Sequence, residues 1–338
     1  MKKIFIAVMV GASFLASSFA QSVSLTNTFG SDKNNTKAND FLVFDKDFNK
    51  PTVSVGDRIQ LDVASEKIDS RIRFDITDKL AITGYVNFRP VEWLNFIGGN
   101  KFFSKWGIPA AYLAASDDTV NHGKLADNDG FGVVFDFAGF KFSTSFAAES
   151  RLNLNFGTSY ALKNVMNIGF TAQNVTEDSR SFGFFAGLDC VKNLKLNVGY
   201  VYNYNNSDYL PATQNAIQLS TAYKIEDIGL SLAADVQLGL NNKKGDGSET
   251  SYEQEEIPYY AAVVTSYRIS KDLTLSLKGI VKHGLNSEND TNYMLYSYAD
   301  YNTSVGSFRL GVRPEFNTEG FKSLSIPFCW KYKIGYKK

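Results

Sequence analysis

The stretch that decides the fold is 323–336, which reads Ser-Leu-Ser-Ile-Pro-Phe-Cys-Trp-Lys-Tyr-Lys-Ile-Gly-Tyr. Every second residue of it, from Leu324 to Tyr336, is apolar or aromatic, and the residues between them are small, polar or basic apart from Pro327 and Cys329. Because successive side chains of a strand point to opposite faces, this period of two predicts one strand with an apolar face and a hydrophilic face. The apolar face must lie against a second sheet or against hydrocarbon.

The N-terminus predicts export. Lys2 and Lys3 precede the apolar run 4–15, and Ser18 and Ala20 are the small residues of a cleavage site before Gln21. This arrangement is typical of a secretory signal peptide over residues 1–20. No break in composition follows, so we expect one domain over residues 21–338.

Composition excludes several classes of protein. The 338 residues carry 35 basic and 35 acidic side chains, which argues against a nucleic-acid partner. No later stretch is continuously apolar for about 18 residues, so a helical membrane span is not expected. A barrel remains compatible with the mean hydropathy of -0.19, because alternation of polar and apolar residues averages out along each strand.

Strand-like segments of about 9 to 12 residues, separated by turns, recur along the chain. They predict an all-β fold of about 16–18 antiparallel strands. From Ser104 onward, long connections alternate with tight ones such as 138–139 and 163–164, apart from a short connection at 149–151. A soluble β-sandwich, the alternative, has no reason for such asymmetry. In the segment 87–93, we expect Pro90 to form a turn.

The alternating closing strand, after an N-terminal signal, resembles the last strand of bacterial outer-membrane β-barrels of the porin-like type. That resemblance implies a single antiparallel up-and-down transmembrane β-barrel in the outer membrane of a diderm bacterium, with lipid outside. It also implies recognition of the last strand by the barrel-assembly machinery. The family usually ends on the aromatic residue, whereas Lys337 and Lys338 follow Tyr336 here.

If the apolar stripes face lipid, the intervening residues line a lumen. The charged residues assigned to this lining are Arg58, Asp62, Arg71, Arg73, Asp75, Lys141, Lys195, Asp235, Arg268, Lys278, Arg309, Arg313, Glu315, Lys331 and Lys333. A barrel of this strand number is wide enough for water, so we expect an open channel with weak anion preference or little selectivity. The alternative is that these charges pair across the lumen and close it.

The long segment 104–130 contains Asp117, Asp118, Asp127 and Asp129. In porins an early long loop folds inward and narrows the pore, which makes these four aspartates candidates for a constriction facing a basic wall. An outward, solvated loop is the alternative. Near the strand ends, we interpret Tyr200, Tyr202, Tyr204, Tyr259, Tyr260, Tyr296, Tyr298, Trp93 and Trp330 as interfacial girdles.

Catalysis, metal binding and cofactors have little support. The chain has two histidines, His122 and His283, and no HExxH, GxSxG, P-loop or CxxC motif. A lipid-modifying Ser–His pair would use His283 with Ser287. The acidic segment 241–256 does not fit an EF-hand. We expect no cofactor and no metal site, and we expect Cys190 and Cys329 to be unpaired.

The sequence therefore predicts a channel for passive diffusion of small hydrophilic solutes and not an enzyme. The alternative is a surface-exposed structural or adhesin barrel with a closed lumen. No segment identifies a subunit interface, so a homo-oligomer is left open.

Overall fold

The computed structural model describes residues 22–30, 41–48, 51–76, 80–100, 130–148, 152–177, 180–204, 213–242, 259–283 and 291–337. Its strands are β1 Ser22–Gly30, β2 Leu42–Asp45, β3 Thr52–Val53, β4 Gly56–Ala64, β5 Ile68–Ile76, β6 Leu80–Val91, β7 Leu94–Asn100, β8 Gly130–Phe137, β9 Phe140–Ala148, β10 Leu152–Leu162, β11 Met166–Gln173, β12 Arg180–Leu188, β13 Leu194–Tyr204, β14 Thr213–Ile225, β15 Leu230–Asn242, β16 Tyr259–Arg268, β17 Leu273–His283, β18 Thr291–Thr303, β19 Gly306–Asn317, β20 Gly320–Ile326 and β21 Phe328–Lys337. Within these ranges, no helix has the length and apolar character needed to cross a membrane.

The sheet closes into a ring. From β4 to β19 each strand pairs antiparallel with the next, β19 also pairs with β21, and β1 pairs with both β21 and β4. Three strands of the wall are interrupted, so that each consists of two segments that lie end to end. These segment pairs are β1 and β2, β3 and β4, and β20 and β21. The result is a closed antiparallel barrel of 18 strands, which confirms the predicted all-β barrel and the upper end of the predicted strand count.

The interruptions mark the seam between the two ends of the chain. β1 ends at Gly30, which pairs with Cys329, and β2 continues the same wall strand from Leu42, which pairs with Ile326. Pro327 lies opposite the place where the first strand leaves the wall. Because proline has no N–H, it costs the sheet no hydrogen bond there, and its carbonyl still accepts one from Gly311 at 3.0 Å. The sequence predicted an unbroken closing strand; the strand breaks at Pro327, but the alternation of faces continues through it.

Short turns and longer connections lie at opposite ends of the barrel. One end carries the connections 65–67, 92–93, 138–139, 163–165, 189–193, 226–229, 269–272 and 304–305. Positive φ values at Ala138 (52°) and Gly139 (83°) give the two-residue hairpin turn whose twist matches the flanking strands. The other end carries every connection between neighbouring wall strands that is longer than five residues, including 101–129 and 243–258, and also the short connections 77–79, 149–151 and 318–319. The predicted asymmetry after Ser104 is therefore present, with 318–319 as a further short connection beside the predicted exception at 149–151.

Pro90 does not form the turn that the sequence predicted. β6 continues through it to Val91, and the turn is made by Glu92 and Trp93. The pairing of β6 with β7 shifts register between Phe88 and Val91. A bulge at that place accommodates a residue that cannot donate to the ladder, which is why the strand tolerates the proline.

Candidate functional site: the inner face of the barrel

The pairing register assigns every strand residue to one face of the wall, because directly paired residues of neighbouring strands point to the same side. Following the pairs around the ring puts all fifteen predicted lining residues on one face. The pairs that fix them are Arg58–Asp75, Arg71–Asp62, Arg73–Gln60, Lys141–Asp136, Lys195–Ala222, Asp235–Ser220, Arg268–Thr274, Lys278–Tyr296, Arg309–Asp300, Arg313–Ser325, Glu315–Ser323, Lys331–Thr28 and Lys333–Thr26.

Burial identifies this face as the inner one. On it Arg313 is 0% exposed, Asp235 1% and Lys278 3%, because side chains converge on the concave side of a closed sheet. The opposite face carries large exposed apolar residues, including Phe131, Val263, Leu277 and Leu310. The hydrophilic residues thus point inward and the apolar residues point outward.

Adjacent charges on β4 and β5 form a connected lattice on this inner face. Asp75 lies between Arg58 and Arg73 and pairs with both, the second at 3.0 Å. Asp62 accepts from Arg71 Nε at 2.6 Å. Because each carboxylate is held by cations of its own or the next strand, the lattice lies along the wall and keeps guanidinium groups fixed at the lumen surface.

A second ordered group lies on β18 and β19. The Arg309 guanidinium carbon lies 4.3 Å from the ring centre of Tyr298, and Tyr298 contacts Tyr296 at 4.7 Å between ring centres. Asp300 accepts hydrogen bonds from Nε and Nη2 of the same guanidinium. A cation stacked on a ring and paired with a carboxylate has little freedom to reorient.

The opposite part of the wall is largely uncharged. We call the inner face of β9–β14 the neutral sector; strands nine places away in an 18-strand ring lie across the barrel, so it faces β18–β21, β1, β4 and β5. Apart from Lys141, Lys195 and Lys224 near the tight turns, its inward side chains are amides, hydroxyls and small or apolar groups. Several have buried polar atoms with no hydrogen-bond partner among the described residues: Ser143, Ser145, Asn155, Asn167, Ser181 and Gln218. Such groups are normally satisfied by water or by a ligand.

The sequence interpretation missed the inward aromatic and aliphatic residues. Tyr260 pairs with Gln237 and Lys282, and Tyr298 with Ser276, which turns both tyrosines inward together with Tyr296. Their assignment to interfacial girdles was wrong, because the parity of a residue and not its nearness to a strand end decides its face. The sequence already indicated the inward position of Tyr260, because counting by two from the predicted lining residue Arg268 back along the strand reaches it. Tyr260 joins Val201, Ala216, Ala262 and Ile280 in an inward apolar cluster.

The other girdle residues lie elsewhere. Tyr200, Tyr202, Tyr204, Tyr259 and Trp330 point outward by register, and Trp93 occupies a turn. An apolar recess of about 530 Å³ also lies on the outer side, lined by residues such as Phe140, Tyr160, Phe170, Phe184 and Tyr200. It is separated from the lumen by the wall itself.

The remaining predicted sites are placed as follows. Asp117, Asp118, Asp127 and Asp129 lie outside the described residues, as do His122 and Ser287. His283 Nδ1 lies 2.7 Å from the Thr291 hydroxyl, and its ring stacks on Tyr259 on the outer face. Cys190 is exposed in a turn, Cys329 is buried on the inner face, and neither forms a disulfide. In the described part of the chain, no three His, Cys, Asp or Glu side chains are grouped to hold a metal ion.

Comparisons with known proteins locate the fold. No family model and no curated protein sequence matches the chain. Solved structures match over nearly their whole length. OpdL of Pseudomonas aeruginosa has a TM-score of 0.65 at 10% identity and covers 93% of this chain and 98% of its own. OccAB4 of Acinetobacter baumannii has a TM-score of 0.61 at 11% identity, and the match covers 93% of this chain and 97% of OccAB4. The Pseudomonas aeruginosa outer membrane protein OpdK has a TM-score of 0.62 at 11% identity, and the match covers 93% of this chain and 98% of OpdK. At this identity the match shows a shared barrel fold.

Proposed function

We propose that this protein is an outer-membrane channel through which small hydrophilic solutes diffuse passively. The observation that carries the proposal is the register: in a closed ring of 18 strands, all fifteen charged positions named above share the inner face. A barrel leaves no unpaired sheet edge, which is the condition for a β-protein to stand in hydrocarbon. A barrel with an apolar outer surface and a hydrophilic inner surface separates lipid from a water-filled passage.

Location and assembly follow from the same features. The predicted N-terminal signal and the barrel fold support placement in the outer membrane, with membrane lipid against the outer face. OpdK, which shares the fold, is itself an outer membrane protein. We propose that the barrel-assembly machinery recognises the closing strand, whose outward stripe from Leu324 to Ile334 remains in phase across Pro327. Association with further copies of the chain is a separate question, decided by cross-linking in native membranes.

The charge of the wall supports a weak preference for anions. Eleven of the fifteen residues are Arg or Lys and four are Asp or Glu. The register adds Lys224, Lys282, Asp69, Asp136 and Asp300 to the same face, and the excess remains positive. The resolved ion pairs join residues of the same or neighbouring strands, so in the described part of the barrel these pairs run along the wall. Pairing of this kind leaves the passage free and reduces the effective excess of positive charge. OpdK has been solved with vanillate, a small organic solute.

Conductance of the refolded protein in a planar bilayer tests the proposal. Discrete steps of current in potassium chloride, with a reversal potential displaced toward chloride in a salt gradient, are the expected result. The competing function is a structural or adhesin barrel with a closed lumen, and the deep burial of Arg313 and Asp235 on the inner face is the observation that favours it. Protein that inserts fully folded but gives no steps of current would establish that alternative.

A further inference from the structure

One aromatic ring lies on the inner face of the neutral sector in an unusual setting. Phe185 pairs directly with Gly169 on β11 and with Gly199 on β13, and the inward neighbours on its own strand are Gly183 and Gly187. A Cβ built on Gly169 would come within 2.3 Å of the Phe185 ring atoms Cε1 and Cζ. The ring therefore lies down over the backbone of β11 instead of standing out into the barrel, and it is half-buried.

Two carboxamides converge beside this ring. A Cβ on Gly187 would lie 2.2 Å from Asn167 Oδ1 and 2.7 Å from Asn197 Oδ1, so both amides lean over the same glycine from the two neighbouring strands. Gly187 pairs with both asparagines in the ladder. Asn167 Oδ1 is buried and has no hydrogen-bond partner in the described part of the chain. Packing of a ring over glycine accounts for Phe185 alone, but it does not account for two amides directed at one place.

The chemistry of this arrangement selects a class of solute. The face of a phenyl ring carries negative charge density and attracts the polarised C–H groups of a saturated ring. A carboxamide offers donors and acceptors together, which suits a hydroxyl group that both donates and accepts. The nearest inward cations are Lys141, three strands away on β9, and Lys195, which lies on the neighbouring strand β13 about four residues along from the residue paired with Phe185. Both positions are roughly 13 Å from the ring. The surface therefore favours uncharged solutes over ionic ones.

We propose that Phe185, Asn167 and Asn197 form a binding site in the lumen for an uncharged, hydroxyl-rich ring of monosaccharide size. This inference rests on the proposed channel function, because the solute must enter the barrel to reach the site. A solute that binds there obstructs the passage for the time it stays. The site would favour such solutes while the opposite, charged wall sets the preference among ions.

The test measures interruption of the single-channel current by D-glucose and by maltose added to the mature protein in a bilayer. Phe185→Ala is expected to raise the half-blocking concentration about tenfold, the loss of one aromatic contact. Phe185→Leu, which keeps most of the bulk but removes the aromatic face, should raise it in the same direction, and Asn197→Ala should do so too. Phe184→Ala is the matched control, since Phe184 lies next along the strand with its side chain on the outer face.

The outcomes separate this site from the channel itself. Steps of current without any interruption by either sugar would leave the channel standing and overturn the site. Equal half-blocking concentrations in the wild-type protein and Phe185→Leu would also overturn it, as would block by glucuronate alone. If no current is seen, saturation-transfer NMR of maltose with the detergent-solubilised barrel still decides. A signal that disappears in Phe185→Leu and persists in Phe184→Ala supports the site, and no signal with the wild-type protein excludes it.

Discussion

Asp300 accepts two hydrogen bonds from the guanidinium of Arg309, from Nε at 2.7 Å and from Nη2 at 2.9 Å. The pair lies on neighbouring strands of the inner face and carries no net charge. Lys331 and Lys333, next to it in the barrel wall, are exposed on the same face. Fixed charges influence ions in a channel according to their net value and their access to water.

Selectivity should therefore depend more on the two lysines than on the arginine–aspartate pair. We expect Lys331→Gln with Lys333→Gln to lower the chloride-to-potassium permeability ratio clearly, and Arg309→Met with Asp300→Asn to change it little. The reversal potential across a potassium chloride gradient measures both. Lys192→Gln with Lys271→Gln, in the exposed turns 189–193 and 269–272, removes the same two charges away from the inner face and serves as the control. An equal shift for the lysine and the control variants would show that the inner wall does not set selectivity.

The outward orientation of the apolar stripes gives a test of membrane insertion. Leu277 is 50% exposed on the outer face of β17, and Thr274 of the same strand points inward. An arginine at position 277 would stand in hydrocarbon, at a cost of about 2–4 kcal/mol near the midplane. We expect Leu277→Arg to reduce the free energy of unfolding in lipid vesicles by that amount and Thr274→Arg to leave it nearly unchanged. Urea titrations followed by gel mobility measure the difference.

The opposite ranking of those two variants would reverse the assignment of the faces. It would place position 277 in water and position 274 in lipid. The proposals for lipid contact, for the channel and for the sugar site would then fail together, because all three depend on the same parity.

Much of this architecture is readable from the chain because alternation is a local property. Once a strand is located, the face of Arg309 or Asp62 follows from counting by two, and the register agrees with that counting at all fifteen lining positions. The tyrosines at 259 and 260 obey the same alternation. Adjacent residues of a strand cannot share a face, so at most one of them could stand at the lipid interface, and it is Tyr259.

Other features depend on pairings that no local pattern contains. The seam joins the strand that begins at Ser22 to the strand that ends at Lys337, and the role of Pro327 appears only when both are side by side. Phe185 reads in sequence as one more aromatic of a Phe-rich strand. Its setting requires Gly169 and Gly199 from two other strands, which become its neighbours only through the register.

The cysteines report which end of the barrel faces which compartment. Cys190 is exposed in the connection 189–193, at the end with the tight turns, and Cys329 is buried on the inner face. Tight turns of outer-membrane barrels lie on the periplasmic side. We expect a membrane-impermeant maleimide to label the protein in cells with permeabilised outer membranes but not in intact cells. Cys190→Ser should abolish the labelling and Cys329→Ser should not. Labelling of Cys190 in intact cells would mean that the barrel stands the other way round.

The seam gives the most direct test of the closure of the ring. Gly30 has φ of 105°, and a Cβ there would lie 2.3 Å from the carbonyl oxygen of Phe328. Gly320 has a similar φ of 120°, but a Cβ there would meet no atom within 4 Å. Both substitutions by alanine impose an unfavourable backbone conformation, which costs on the order of 1–3 kcal/mol. Only Gly30→Ala also forces the first and last strands apart.

We therefore expect Gly30→Ala to lower the free energy of unfolding by more than Gly320→Ala does, with the difference reporting the clash at the seam. Urea titrations in lipid vesicles measure both. If the seam opens, Cys329, which pairs with Gly30, becomes accessible, so Gly30→Ala should also allow a maleimide to reach Cys329 in a Cys190→Ser background. Equal stabilities for the two variants, with Cys329 still protected, would show that the chain closes its ring without a close approach between β1 and β21.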